Sequence, residues 1–134
     1  MSTIKADNIA TLAGVSTSMA NAVNGSAKAW VNFNGTGTVA IRASHNVSSI
    51  TDIGSADYII NFATAMPDIN YAAVGNFGTL DQNWNSAQTS PMVVGGTYSG
   101  AAFTPYYSTT QLGVCNYGAG DRIDIELANV VVFR

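Results

Sequence analysis

The chain has 134 residues, a formal net charge of −3 and a charged fraction of 10%, whereas soluble domains usually carry about 25% charged residues. This length allows one domain with a modest core of its own. Nucleic-acid binding usually needs a basic stripe, and the Lys and Arg residues are scattered, so we expect no nucleic-acid partner. Asn, Ser, Thr and Gly replace the missing charge. Such a surface suits burial against further copies of the chain or neutral hydrogen bonds to a sugar.

Cysteine content and leader pattern indicate the compartment in which the chain is made. Cys115 is the single cysteine, so we expect no intrachain disulfide and a buried thiol that packs as a small hydrophobe. Residues 1–20 lack the basic and continuous apolar regions of a signal peptide. No apolar run approaches the roughly 20 residues that cross a bilayer, so we expect no membrane insertion. The pattern predicts synthesis in a cytoplasm, followed by release through lysis or within a particle.

The first predicted element is an N-terminal arm, residues 1–26, in which apolar residues are sparse. Leu12, Val15, Met19 and Val23 follow one another at helical spacing and predict one apolar helix face. A lone helix of this kind does not persist in water. The arm is therefore either loose or ordered by packing against a partner or sister chains. Its candidate subunit-interface residues are Ile4, Ile9, Leu12, Met19 and Val23.

From Ala27 the apolar period changes to two, which is typical of a strand that is buried on one face. The stretch from Ala27 to Phe33 predicts the first strand, and Val39, Ile41 and Ala43 predict an apolar face on the second. Asn34–Gly37 forms a short polar tip between them. Two such runs around a Gly-bearing loop predict a β-hairpin.

The next elements are three further strands of a predicted sheet. Val47–Thr51 is the weaker pattern, and Asp57–Ala63 is the clearer one, with a turn expected over Asp52–Ala56. Pro67 interrupts the backbone hydrogen bonds of the predicted sheet because it has no N–H to donate. A strand over Ile69–Val74 is expected to follow.

Residues 76–120 form a variable loop region that glycine and proline punctuate. We expect strands near Met92–Val94, Ala102–Tyr107 and Gln111–Tyr117. Long loops on a rigid sheet often carry binding function, and Tyr and Trp rings can stack on sugars while amides bind hydroxyls. The alternative is that these rings belong to the core. The candidate receptor or glycan contacts are Asn83, Trp84, Asn85, Tyr98, Tyr106, Tyr107 and Tyr117.

The last predicted strand has one polar, solvent-facing side in its first half and no polar side in its second half. Charged and apolar residues alternate from Arg122 to Leu127, and the run from Leu127 to Phe133 is apolar on both faces. A strand buried on both sides requires a second layer or a neighbouring subunit. We therefore expect a central or interfacial strand, with Val130 and Val132 in a subunit interface.

Chemical motifs give little support to an enzyme. His45 is the single histidine and lies between two predicted strands, so a Ser-His-Asp site is not favoured. The carboxylates show no spacing that is typical of glycoside cleavage. One histidine and one cysteine are too few for a structural zinc site. Gly35-Thr36-Gly37 precedes a strand and lacks the helix N-terminus that binds phosphate. We expect no catalytic residues, no metal and no cofactor.

Four stretches carry a resemblance to a known class of protein. They are NGSAKAWVNFNGTGTVAIRAS, NVSSITD, DYIINFATAMPD and the terminal ANVVVFR, with the leader STIKADNI as a weaker match. Together they resemble a short module of tail-fibre and tail-tip proteins of tailed bacteriophages, especially marine and cyanobacterial ones. The resemblance is specific from Ala27 to Arg42 and poor from Asn76 to Gly120.

The resemblance implies an all-β, jelly-roll-like antiparallel β-sandwich over residues 27–134, behind the arm of residues 1–26. It implies a homotrimer on a virion, with the arm attached to other virion proteins. The loop region 76–120 would then face host surface polysaccharide or another receptor. Two alternatives remain open: a purely structural head-fibre, decoration or connector protein without a ligand, and a polysaccharide depolymerase.

Overall fold

The computed structural model describes residues 6–14, 16–78, 92–99, 102–116 and 122–134, and not the side chains of Val93, Tyr98, Ser99 and Ala102. One short helix, α1, covers Met19–Asn24, and none of the described helices could cross a membrane. The strands are β1 Asn8–Ala10, β2 Ser16–Ser18, β3 Ala27–Asn34, β4 Ala40–His45, β5 Val47–Gly54, β6 Asp57–Phe62, β7 Ala72–Gly78, β8 Met92–Val94, β9 Gly96–Ser99, β10 Ala102–Pro105, β11 Gln111–Asn116 and β12 Leu127–Phe133.

These strands form antiparallel sheets, so the all-β prediction is confirmed. One four-stranded sheet has the order β4-β3-β12-β7, and the other has the order β5-β6-β11-β8. Two smaller pairs, β1-β2 and β9-β10, complete the described sheet structure. The first and last strands of the body, β3 and β12, are neighbours, which ties the two ends of residues 27–134 together.

Both four-stranded sheets contribute side chains to one hydrophobic core. In β3 the period-two prediction is confirmed, because Ala29, Val31 and Phe33 are buried and Trp30 is exposed. Tyr58 packs edge-on against Phe33, with ring centroids 5.2 Å apart. The core cluster comprises Ala29, Val31, Phe33, Tyr58, Ile60, Phe62, Met66, Tyr71, Leu112, Val114, Ala128, Val130 and Val132.

The predicted β3–β4 hairpin is present, and Val39 packs against the core as its apolar pattern predicted, but the apolar face predicted to continue through Ile41 and Ala43 is wrong. A bulge shifts the register after Asn32, so that Ala43 pairs with Asn32 whereas Ile41 pairs with Phe33. An extra residue in one strand reverses which face the following residues occupy. Ile41 and Ala43 therefore face opposite sides of the sheet, and the whole of β4 is exposed. The extra residue is Arg42, whose Nη1 donates to the carbonyl of Glu126 at 2.6 Å.

The middle strands follow the prediction with shifted ends. β5 runs on to Gly54, so the predicted turn over Asp52–Ala56 shortens to its last residues, where Ala56 has a positive φ of 56°. β6 begins at Asp57 as expected, and β8 has the predicted bounds. β7 begins at Ala72, later than expected, because residues 65–70 after the strand break remain irregular.

The helix predicted across the arm is wrong. Strands β1 and β2 pair with each other in antiparallel orientation instead, and Gly14 lies between them with a φ of +80°. Only α1 is helical, and it begins where the Ser18 hydroxyl accepts a hydrogen bond from the Asn21 N–H at 3.1 Å. Val15 and Ile4 lie outside the described residues. The arm therefore combines a hairpin with a single short helix that buries none of its residues.

The terminal strand is central, as one of the two sequence interpretations expected. β12 lies between β3 and β7 and is paired over its whole length with β7. Val130 and Val132 are buried in the core of the single chain, so the interface role predicted for them is wrong. Residues 122–125, which were expected to begin this strand, are irregular.

Cys115 is fully buried in β11, as predicted for a small hydrophobe. Burial and the nearby charge of Asp57 raise the pKa of its thiol to about 11. Because the thiolate is the reactive form, we expect native protein at pH 8 to resist a disulfide-exchange reagent. The same reagent should label one thiol per chain rapidly in urea. If Cys115 in native protein were labelled as fast as a solvent-exposed thiol, the buried position of this residue would be contradicted.

Candidate interaction surfaces

Most of the predicted glycan platform falls outside the part of the chain that the structure describes. Asn83, Trp84, Asn85 and Tyr117 lie outside the described residues. The backbone of Tyr98 belongs to β9, where it pairs with Phe103, but its side chain is not described. The structure therefore places only Tyr106 and Tyr107 of this set with their side chains.

Tyr107 is held by contacts inside the chain. Its ring stacks on that of Tyr71 with centroids 4.3 Å apart and planes inclined by 14°. Its hydroxyl donates to the Tyr71 carbonyl, and the Tyr71 hydroxyl in turn donates to the carbonyl of Ser108 at 2.9 Å. Burial raises the pKa of Tyr71 to about 12 and also raises that of Tyr107. These contacts show Tyr107 as an anchor for the segment before β11.

Tyr106 is half-buried at the junction of three strands. Its N–H donates to the Gly95 carbonyl at 3.0 Å, and its carbonyl accepts from the Gly113 N–H at 2.7 Å. A Cβ on Gly113 would lie 2.8 Å from the Tyr106 Cβ, so glycine is needed for this close approach. The backbone of Tyr106 is thus fixed, and its half-exposed ring remains a candidate contact.

The arm presents apolar side chains to solvent. Ile9, Leu12 and Val23 are exposed, and Met19 is half-buried. Beside β1 and β2 lies an open groove of about 270 Å³, whose lining is mostly apolar. Isolated two-stranded hairpins and short helices are marginally stable in water. The predicted interface residues Ile9, Leu12 and Val23 are therefore available to a partner surface.

A second exposed surface is the side of the β4-β3-β12-β7 sheet that faces away from the core. We call it the outer sheet face. Because neighbouring residues of a strand alternate between faces, the residues between the buried ones of β3 and β12 belong to it. Its members are Trp30, Asn32, Ala43, His45, Ala72, Val74, Asn76, Asn129, Val131 and Phe133. The apolar character of β12 was predicted from the sequence, but the predicted interface residues Val130 and Val132 lie on the opposite side.

The outer sheet face consists of parallel rows that cross the four strands. One row is apolar and joins Trp30, Val131 and Val74, with His45 at its end. The adjacent row is amide-rich and contains Asn32, Asn129 and Asn76. Within it, Asn32 Nδ2 donates to Asn129 Oδ1 at 2.6 Å. The face thus has an apolar stripe beside a stripe of neutral hydrogen-bonding groups.

The other four-stranded sheet carries a polar network on its outer side. Asn61 Nδ2 donates to Ser49 Oγ at 3.1 Å and to Thr51 Oγ1 at 3.0 Å, and Gln111 Nε2 donates to Asn61 Oδ1 at 2.9 Å. These groups satisfy one another across β5, β6 and β11. The network therefore stabilises the pairing of these strands.

Among the described residues, no group of three or more His, Cys, Asp or Glu side chains lies close enough to share a metal ion. His45 is exposed at the end of β4, opposite Trp30. It therefore belongs to the outer sheet face.

Comparison with known proteins gives no relative. No protein-family model, no curated protein and no solved structure matches the chain.

Proposed function

We propose that this chain is a virion protein of a tailed bacteriophage, a homotrimeric tail-fibre or tail-tip component. In this proposal the two four-stranded sheets form a jelly-roll-like β-sandwich. The arm attaches the trimer to other virion proteins, and the loop region 76–120 contacts host surface polysaccharide or another receptor. The sequence resemblance over Ala27–Arg42 supports the class of protein.

The structural observation that carries the proposal is the contrast between the arm and the body. Residues 27–134 have a core of their own, whereas Ile9, Leu12 and Val23 in the arm are exposed. A chain that works alone has no use for an unburied apolar arm, because exposed apolar surface lowers stability and solubility. An arm that becomes buried in a larger assembly explains this arrangement.

Two measurements on phage particles and host cells test the proposal. Mass spectrometry and antibody labelling in the electron microscope should find the chain on purified virions. Purified protein, added to host cells first, should reduce phage adsorption. Replacing residues 79–91 with a Gly-Ser segment of equal length should abolish that reduction. Absence of the chain from virions would contradict the proposal.

A matched variant separates attachment from receptor binding. Leu12→Asp changes a fully exposed arm residue, so folding of the body should be unaffected. We expect this variant to reduce adsorption as wild type does but to be lost from assembled particles. If it were incorporated normally, the arm would not be the attachment segment.

A second candidate is a structural virion component without a ligand. The internal contacts of Tyr107 favour it, because one ring face and the hydroxyl of this candidate contact are already occupied. This reading predicts that the protein is found on virions while the variant with residues 79–91 replaced leaves adsorption unchanged. The depolymerase alternative predicts cleavage of host envelope glycans by the purified chain.

A further inference from the structure

We propose that the outer sheet face packs around the three-fold axis of the proposed trimer against the same face of the other two copies, with Trp30, Val74 and Val131 at the apolar centre of the contact. The inference rests on the proposed homotrimer for the number of copies. The contact surface is the side of β12 that carries Val131, opposite to the side of Val130 and Val132.

Three large apolar side chains are exposed on this face. Trp30 and Phe133 each expose 38% of their surface, and Val74 exposes 59%. Val74 and Trp30 flank Val131 from the two neighbouring strands, so the three side chains form one continuous row. Scattered exposed apolar residues are ordinary, but a continuous row rimmed by polar groups is typical of an interaction site.

The asparagine row argues for a second copy as the occupant. Each carboxamide offers two N–H donors and two acceptor lone pairs, and the bond between Asn32 and Asn129 uses only one of each. A row of carboxamides can both donate to and accept from an identical row. Homotypic contact therefore satisfies this stripe without a charged or specially shaped partner.

Charge distribution also favours self-association. The chain carries a net charge of −3, yet none of the residues named as members of the outer sheet face is acidic or a Lys or Arg; Lys28, which alternation also places on this side of β3, lies at the end of the strand. The three cations in or next to these strands are each held by an internal contact: Lys28 Nζ donates to the Val23 carbonyl, Arg42 Nη1 donates to that of Glu126, and Arg134 forms an ion pair with Asp68. Copies can therefore approach through this face without burying ions or repelling one another.

The outer sheet face alone is smaller than a standard interface, so we expect the arm to contribute to the contact between copies. Strand spacing and rise give this face about 19 Å by about 23 Å, roughly half of the 800 Å² or so that each partner buries in a standard interface. The arm enters the body at Ala27, which pairs with the exposed Phe133 at one end of the face. The Val23 carbonyl accepts from Lys28 Nζ near this end of β3, so the exposed Val23 is within reach of an interface that includes this end of the face.

Sedimentation equilibrium of the full chain across a concentration series tests the inference. Wild-type protein should be oligomeric. Val74→Glu should weaken association by at least about 100-fold, since it brings like charges together in an apolar contact. The matched control is Ile53→Glu on β5 of the other sheet, where the side chain is 46% exposed. It should associate as wild type does.

Fluorescence of Trp30 gives an independent readout. In a Trp84→Phe background Trp30 is the remaining tryptophan, and its emission should shift to shorter wavelength as protein concentration rises. Equal association of the two Glu variants, or a Trp30 emission independent of concentration, would overturn the inference and leave a trimer through another surface. A wild-type chain that stays monomeric would overturn both the inference and the proposed trimer. Chains that associate as predicted but are missing from virions would overturn the proposed function alone.

Discussion

Gly35→Ala is expected to lower the free energy of unfolding by about 3 to 4 kcal/mol. A Cβ at this position would lie 2.3 Å from the hydroxyl of Tyr58 and 2.9 Å from the carbonyl of Ile125. Tyr58 has no room to retreat, because it is fully buried. Its hydroxyl also donates to the Gly35 carbonyl at 3.1 Å. Chemical denaturation followed by circular dichroism measures the change.

The matched control lies in the same turn. Gly37 has a φ of +62° and open space around it, and asparagine tolerates this left-handed conformation. Gly37→Asn should therefore change stability by less than about 1 kcal/mol. If Gly35→Ala were as mild as Gly37→Asn, the packing of the turn against Tyr58 would be contradicted.

The sequence predicts the hairpin but not the contacts that fix its turn. Asn34 and the two glycines mark a turn, and the alternation in β3 marks its buried face. The contact of Gly35 with Tyr58 joins residues 23 positions apart, and no local pattern indicates such a contact. The bulge that separates Ile41 from Ala43 cannot be predicted from the sequence either, because one unpaired residue does not change the composition of the strand.

The terminal strand explains why the interface was assigned to the wrong side. From Leu127 to Phe133 both alternating sets are largely apolar, so the sequence indicates a central strand without indicating which set faces the core. The register with β3 and β7 decides this, and it directs Val130 inward and Val131 outward. A strand that is apolar on both faces predicts that both faces are buried. The pattern does not indicate which face packs in the core of the chain and which face contacts a partner.

The aromatic residues of the loop region show the same limit. Their number and polar neighbours favour a sugar platform, but stacking of Tyr107 on Tyr71 links residues that are 36 positions apart. A ring that anchors the fold and a ring that binds a ligand have the same local sequence. Composition therefore predicts an aromatic-rich region and leaves the use of each ring open.

Arg122→Met is expected to lower the free energy of unfolding by about 3 kcal/mol, because it removes the cation that faces the buried carboxylate of Asp57. Arg122 Nη1 donates to Asp57 Oδ2 at 2.7 Å, and Asp57 exposes only 2% of its surface at the start of β6. Methionine keeps the apolar stem and removes the guanidinium. Urea denaturation at neutral pH measures the loss.

The control is the second salt bridge that the structure describes, between Arg134 and Asp68. Arg134 Nε donates to Asp68 Oδ1 at 2.9 Å, but both side chains are more than a third exposed. Water screens such a pair, so Arg134→Met should leave the unfolding midpoint unchanged within error. A similar loss for both variants would contradict the distinction between the two sites.

A double variant tests whether the loss of stability comes from removing the cation that faces the Asp57 carboxylate. Asp57→Asn together with Arg122→Met removes both ions and leaves an amide that can still form hydrogen bonds. Replacement of both partners of a buried ion pair is often close to neutral. We therefore expect the double variant to be more stable than Arg122→Met alone. If the loss of stability in the double variant equalled the sum of the losses in Asp57→Asn and Arg122→Met, the two side chains would act independently. The interaction between the two charges would then contribute nothing to stability.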